Sequence, residues 1–338
     1  MRLNDRSIET LRGIAVVLMV AGHVVGAQPD EAMRVDEDSG WRLIFWALRD
    51  LRMPLFTVLS GFIYAFRPTC DWLQYRALIR AKVRRFLVPL ISVGTLVFWA
   101  KMLNPESRAG VELADWWTPY VLGLDHLWFL HSIFVIFVVV GALGAVRLVS
   151  RPRDWLVATL LSACLYVSAL VPEVAALGIG PALRLLPFFL LGYGLRLFSG
   201  GLSARWVGAL AVVLAVAFSI RLLDLNDVIT IEEEPVDRAL GLIVGATSIL
   251  ILFRFRDALS SRFLAWIGGY AFGIYLFHYF ALPLAWIGSR AIGLEIEVVK
   301  FLTGLILGIG LPILFELIAR RSRWATLVLF GQKMRGAI

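Results

Sequence analysis

The sequence predicts an all-α fold, a polytopic transmembrane bundle of about ten spans. Three observations carry this. Of the 338 residues, 59% are apolar and the mean hydropathy is +0.80, where a soluble domain has roughly 45–50% apolar residues. Apolar stretches near twenty residues long recur from end to end, the length that crosses about 30 Å of hydrocarbon. Charge is also sorted by side. With the N-terminus placed inside and span-edge residues given to the nearer side, 21 of the 33 Lys and Arg fall on the inner side and 8 on the outer. The other four, Arg12, Arg49, Arg52 and Arg184, lie within spans, and 18 of the 25 acidic residues fall outside. The lysine and arginine bias sets topology, so both termini are expected in the cytoplasm. The net charge of +8 and pI of 9.9 then reflect topology and attraction to anionic lipid, not a nucleic-acid footprint. A β-barrel would instead show ten-residue alternation.

The expected spans run 8–27, 41–66, 86–103, 127–148, 155–171, 181–198, 206–222, 238–253, 263–285 and 298–318. The first, IETLRGIAVVLMVAGHVVGA, is too long and too charged for a cleaved signal peptide. It holds Glu9, Arg12 and His23, and an ionisable group at membrane depth marks a functional site by default. Arg12 and His23 are eleven residues apart. At 100° per residue that is three turns plus about 20°, so they share one helix face, roughly 16 Å apart along the axis. The bland alternatives are a snorkelling arginine and a packing histidine.

The second span opens with Arg49 and Arg52 in its outer half, and Met53–Pro54 marks a helix break that frees carbonyls for an arginine to bind. Ser60 and Gly61, in FTVLSGF, form a small pair that either allows close helix approach or lines a narrow acyl tunnel with backbone. The inner segment 67–85 is the most basic stretch, with Arg76, Arg80, Arg84 and Arg85 near helical spacing. It reads either as an amphipathic surface segment or as a dock for a cytoplasmic polyanion such as a nucleotide cofactor. Pro89 follows in the first turn of span three.

Span four begins HLWFLH, which puts His126, Trp128 and His131 near the outer surface, and span nine carries Tyr275 and His278. All four histidines therefore fall at a similar depth, a layer that a shared outward-opening cavity would satisfy. Interfacial placement for His126 and Trp128, and packing for Tyr270, Tyr275 and His278, are the alternatives. Cys70 and Cys164 sit in different contexts and suggest neither disulfide nor thiol nucleophile. No P-loop, dinucleotide fingerprint, zinc spacing or Ser-His-Asp pattern occurs, so no metal is expected.

Taken in order, LRGIAVVLMVAGH, RMPLFTVLSGF, RAKVRRFLVP, LWFL and YAFGIYLFH resemble the successive signatures of the acyltransferase family 3 membrane proteins, across nearly the whole chain. The resemblance implies about ten helices. It also implies acyl transfer, commonly of acetyl, from cytoplasmic acyl-CoA to sugar hydroxyls of extracytoplasmic polysaccharides, glycolipids or antibiotics. By position, Arg12 and His23 match the residue pair taken as essential in the family. Arg52, Ser60, Gly61 and Phe62 match its second motif, and Arg84 and Pro89 its arginine–proline motif. Glu9 stands where many members have aspartate, and residues 1–338 are expected to form a single transmembrane acyltransferase domain without the soluble C-terminal domain many members carry.

The expected enzyme is a membrane O-acyltransferase of the polysaccharide-modifying type, in a bacterial inner membrane. Its donor is acyl-CoA, acetyl first and succinyl second. Its acceptor is a polysaccharide or lipid-linked glycan. His23 is the expected general base, with Arg12 aligning the donor and Arg52 or a nearby backbone N–H facing the oxyanion. Arg12, Ser60, Gly61, Arg80, Arg84 and Arg85 are expected on the donor; Arg49, His126, Trp128, His131, Tyr275 and His278 on the acceptor, with Arg49 or Arg52 pairing the free carboxylate if the group is succinyl. A transporter or flippase for a lipid-linked sugar is the competing class, which has no need of Arg12 and His23 in register. Membrane lipid is an expected partner, and oligomeric state is left open.

Overall fold

The computed structural model describes residues 5–28, 31–103, 112–168, 176–198, 204–291, 293 and 296–332. Among them all regular structure is helical, with no strand. In chain order the α-helices are α1 (Arg6–Val25), α2 (Gly40–Ala47), α3 (Arg49–Tyr64), α4 (Trp72–Lys82), α5 (Val88–Leu103), α6 (Thr118–Val121), α7 (Trp128–Ala145) and α8 (Pro152–Val167). They continue as α9 (Ile179–Leu197), α10 (Ala204–Leu225), α11 (Glu234–Arg254), α12 (Arg262–Gly269), α13 (Ala271–Ala291), α14 (Glu297–Ala319) and α15 (Arg323–Phe330).

Among the described residues, eight helices are long and apolar enough to cross a membrane. The other two expected crossings differ for local reasons. Span five is α8, only 16 residues long. Span two breaks at Leu48 into α2 and α3, six residues before the proline that suggested a break. Pro54 instead lies inside α3. Span nine also divides, at Tyr270 after Gly268 and Gly269, and α13 then runs on to Ala291.

The chain forms two compact units. The first comprises residues 1–66 and 191–316, and α1 is its axis. Asp5 caps that helix by accepting from Ser7 N at 3.1 Å, and Gly26, at φ 88°, ends it. Helix α12 lies against α1 at backbone contact. A Cβ at Gly13 would overlap the Leu264 carbonyl, and one at Gly268 the Glu9 carbonyl. Thr10 fastens the pair, donating to Ser261 O (3.2 Å) and accepting from Ser261 N (3.1 Å). Glycine pairs of this kind let membrane helices gain dispersion energy where no hydrophobic drive exists between them. Helices α10 and α11 meet through Ala217, Leu240 and Val244.

The second unit comprises residues 67–190 and 317–338. Helix α4 passes into α5 through a π-helical turn, Val83–Leu87, just ahead of Pro89. The wider i→i+5 turn accommodates a residue that lacks an N–H and whose ring crowds the preceding turn. Tyr75 and Leu78 of α4 fit against Gly141 of α7, and Thr69 donates to Gly141 O at 2.8 Å. Phe137 of α7 packs on Phe86 and Phe189. Helix α15 is held by Arg85 Nη1 on Phe330 O (2.8 Å) and Ser92 Oγ on Val328 O (2.7 Å).

Candidate active site

Helix α1 sets the site. Its buried face carries Ala15, Val16 and Val20 at 0% exposure and Met19 at 3%. At 100° per residue, Arg12, Val16, Met19 and His23 fall within about 60° of one another, so both ionisable groups belong to that buried face. The opposite face, with Ile14, Val17, Leu18 and Ala21, is only partly buried. Arg12 keeps 34% of its side chain accessible and His23 is exposed, so they are the two open points of a face otherwise packed shut. Between them Val16 and Met19 are buried.

At the C-terminal end of α1, three helices converge on His23. Its ring lies 4.9 Å from that of His278 on α13, centroid to centroid, tilted by 45°. His278 is wholly buried, and its Nδ1 lies 3.1 Å from Ile274 O and 2.9 Å from Tyr275 O. From α3 comes Arg52. A Cβ at Gly22 would collide with its Nη1 and approach its Cζ to 3.0 Å, so the missing side chain lets the guanidinium lie on the backbone of α1 at the residue before His23. Arg52 Nη2 donates to Phe45 O at 3.1 Å, and the guanidinium stacks 4.1 Å from the Phe45 ring. The Leu48 break thus provides a carbonyl for Arg52, as expected of a break, though from the end of α2.

At the other end, Arg12 Nη1 donates to Glu9 Oε1 at 2.6 Å, and the second carboxylate oxygen, Oε2, is buried without a hydrogen-bond partner among the described residues. Arg49 is engaged differently. It pairs with Asp237 at 2.7 Å and lies 3.6 Å from Asp50. Both carboxylates also hold Arg221 of α10, a side chain with no exposed surface, together with Asp224 at 3.4 Å. Sequence reading missed this network. Its signal was an aspartate within span two, Asp50, and an arginine at the edge of span seven, Arg221, but nothing in one sequence says which charges on separate helices meet.

The remaining expected residues are placed as follows. Ser60 Oγ donates to Phe56 O one turn back, at 2.9 Å, and Gly61 is buried. Tyr275 is buried at 5% and stacks on Phe272. In the second unit Arg80 is exposed on α4, and Arg84 and Arg85 lie in the π turn. There too are His126 and His131, each 4% exposed, and half-buried Trp128. His131 Nε2 pairs with Tyr120 O at 2.9 Å. Chemically, the first unit offers an accessible imidazole, a buried second imidazole against it and a guanidinium packed on the residue before it. That is a set able to take a proton and steady an anion.

Comparison with known proteins bears on the class of chemistry. No curated protein and no solved structure matches the chain. A family model described as an acyltransferase domain matches residues 5–317, which includes every motif quoted above. This chain therefore belongs to acyltransferase family 3 and is a multi-pass membrane acyltransferase.

Proposed function

We propose that the chain is an O-acyltransferase of a bacterial inner membrane. It moves an acetyl or succinyl group from cytoplasmic acyl-CoA to a sugar hydroxyl of an extracytoplasmic polysaccharide or lipid-linked glycan. The observation that carries this reading is the placement of Arg12 and His23 as the two accessible points on the buried face of α1. One end suits an anionic, inward-facing donor and the other an acceptor hydroxyl. His23 takes the hydroxyl proton, a task suited to a group whose ordinary pKa of about 6.5 lies near working pH. The hydroxyl oxygen attacks the thioester carbonyl, and Arg52 stabilises the oxyanion. Collapse breaks the C–S bond, and the thiolate takes back the proton from His23.

Arg12 aligns the donor by its charge. Met19, between the two ends, is unbranched and flexible, and its rotation admits the donor's thin pantetheine arm. Both termini lie in the cytoplasm on this reading.

The test is direct. Purified protein in lipid is given radiolabelled acetyl- or succinyl-CoA, and CoA release and label on glycan are measured. His23→Ala should lose about 10²–10⁴-fold in rate with donor affinity kept; normal turnover would sink the base assignment. Comparing surface polysaccharide masses from cells with and without the gene identifies the acyl group.

A further inference from the structure

His278 has no surface for a sugar to touch, since it is wholly buried. Its ring instead lies against that of His23. The two groups that Nδ1 meets, Ile274 O and Tyr275 O, are carbonyls and can only accept. Nδ1 therefore carries a proton, and in the neutral ring Nε2 bears the lone pair. Both carbonyls belong to the turn of α13 that precedes the ring, so rotating or flipping the imidazole forfeits both contacts. Against this fixed ring lies the accessible ring of His23, with centroids 4.9 Å apart.

We infer that His278 is a positioning residue for His23: the two rings meet tilted by 45°, and a turn of the exposed His23 ring brings its N–H onto Nε2 of His278, locking His23 in the tautomer whose other nitrogen presents its lone pair to the acceptor hydroxyl. This rests on His23 serving as the base. A base in a mixture of tautomers has its lone pair on the useful nitrogen only part of the time, and a buried acceptor on one side removes the wrong form. During the reaction His278 exchanges no proton. The hydroxyl proton moves to the outward nitrogen of His23 as the new C–O bond forms. His278 stabilises the transient imidazolium through its lone pair. The proton leaves to sulfur as the C–S bond breaks, and both rings return to their starting forms.

The experiment compares His278→Leu and His278→Gln in the full-length protein in lipid nanodiscs. Glutamine places an acceptor oxygen where Nε2 was; leucine fills the space with none. The leucine variant should lose about 10²–10³-fold in kcat with donor KM within twofold, and the glutamine variant should recover at least tenfold of that loss. A leucine variant within threefold of wild-type kcat, or a folded glutamine variant no better than leucine, overturns the proposal. Should leucine prevent folding, His278→Asn replaces it. Asparagine reaches only the Nδ1 position, so glutamine must exceed it by tenfold, and equal rates overturn the proposal.

Ring-nitrogen NMR of ¹⁵N-histidine-labelled protein reads the pairing without turnover, with only four histidines to assign. His23 should show one protonated and one unprotonated nitrogen in the wild type and a tautomer mixture in the glutamine variant's leucine or asparagine counterpart. Unchanged His23 signals overturn the pairing. A wild type that transfers no acyl group from either CoA ester would instead refute the proposed function, and the spectra would still decide the pairing.

Discussion

Arg49 and Arg52 sit one turn apart on the same helix and have opposite surroundings. Arg49 meets Asp237 and Asp50, and those carboxylates also hold the buried Arg221. Arg52 has no carboxylate within ion-pair distance among the described residues; a carbonyl, an aromatic face and the bare backbone at Gly22 hold it. A guanidinium saturated by fixed anions has little left for a transient one. One positioned by neutral groups keeps its charge for whatever anion forms nearby. The difference separates a structural arginine from one suited to an oxyanion, and it shows why type and depth alone could not distinguish them.

Breaking the comparison at its strongest point gives the largest effect. Arg52→Ala should lower kcat by about 10²–10³-fold with little change in donor KM. Arg49→Ala should leave kcat within about tenfold, because its neighbours remain paired through Arg221. Steady-state kinetics on both variants checks this, and equal losses in kcat would abolish the distinction. The next effect falls on stability. Arg221→Met leaves Asp50 and Asp237 with Arg49 alone and takes from Asp224 its guanidinium partner. Removing one partner from a buried ion-pair network costs about 3–5 kcal/mol, so the melting temperature in detergent should drop sharply. An unchanged melting temperature would show that the network does not tie α3, α10 and α11 together.

Gly22→Ala tests the seat of Arg52 while leaving the guanidinium in the protein. The added Cβ overlaps Nη1, and the guanidinium must shift from its place on Gly22. The rate should fall by an intermediate factor of about 10–10², since modest misplacement of a catalytic group costs up to about 10²-fold. Wild-type kcat in that variant would mean that Arg52 acts from some other position.

How much of this was legible beforehand depends on whether a feature is local. Helix-length apolar runs, the Arg12–His23 face and the matching depth of His23 and His278 follow from periodicity and span counting, which one sequence contains. The matching depth reflects α1 and the α12–α13 pair running side by side, fastened at Thr10–Ser261 and meeting again at His23–His278. The Leu48 break was not legible, because Pro54 is the only nearby residue that advertises a break and the helix absorbs it. The Arg221 network was hidden for a different reason. Its members come from α3, α10 and α11, and pairing between helices is decided by packing rather than by any spacing along the chain. Gly22 was equally silent, one small residue among several in an apolar run, until Arg52 was seen lying on it.

Arg12 stands between the two extremes, with one carboxylate, Glu9, at 2.6 Å, and it gives the subtlest test. Glu9 both holds the guanidinium and offsets its charge. Glu9→Gln keeps a hydrogen-bonding oxygen in place but removes the offset, so an anionic donor should bind more tightly, with KM falling about two- to fivefold, the scale of a partly exposed ion pair. Glu9→Ala removes the hold as well. The guanidinium then gains rotamer freedom that must be lost again on binding, and KM should rise instead. Opposite signs in the two variants, measured as donor KM at fixed acceptor, separate the holding role from the charge role. If both move KM in the same direction, Glu9 contributes only one of the two.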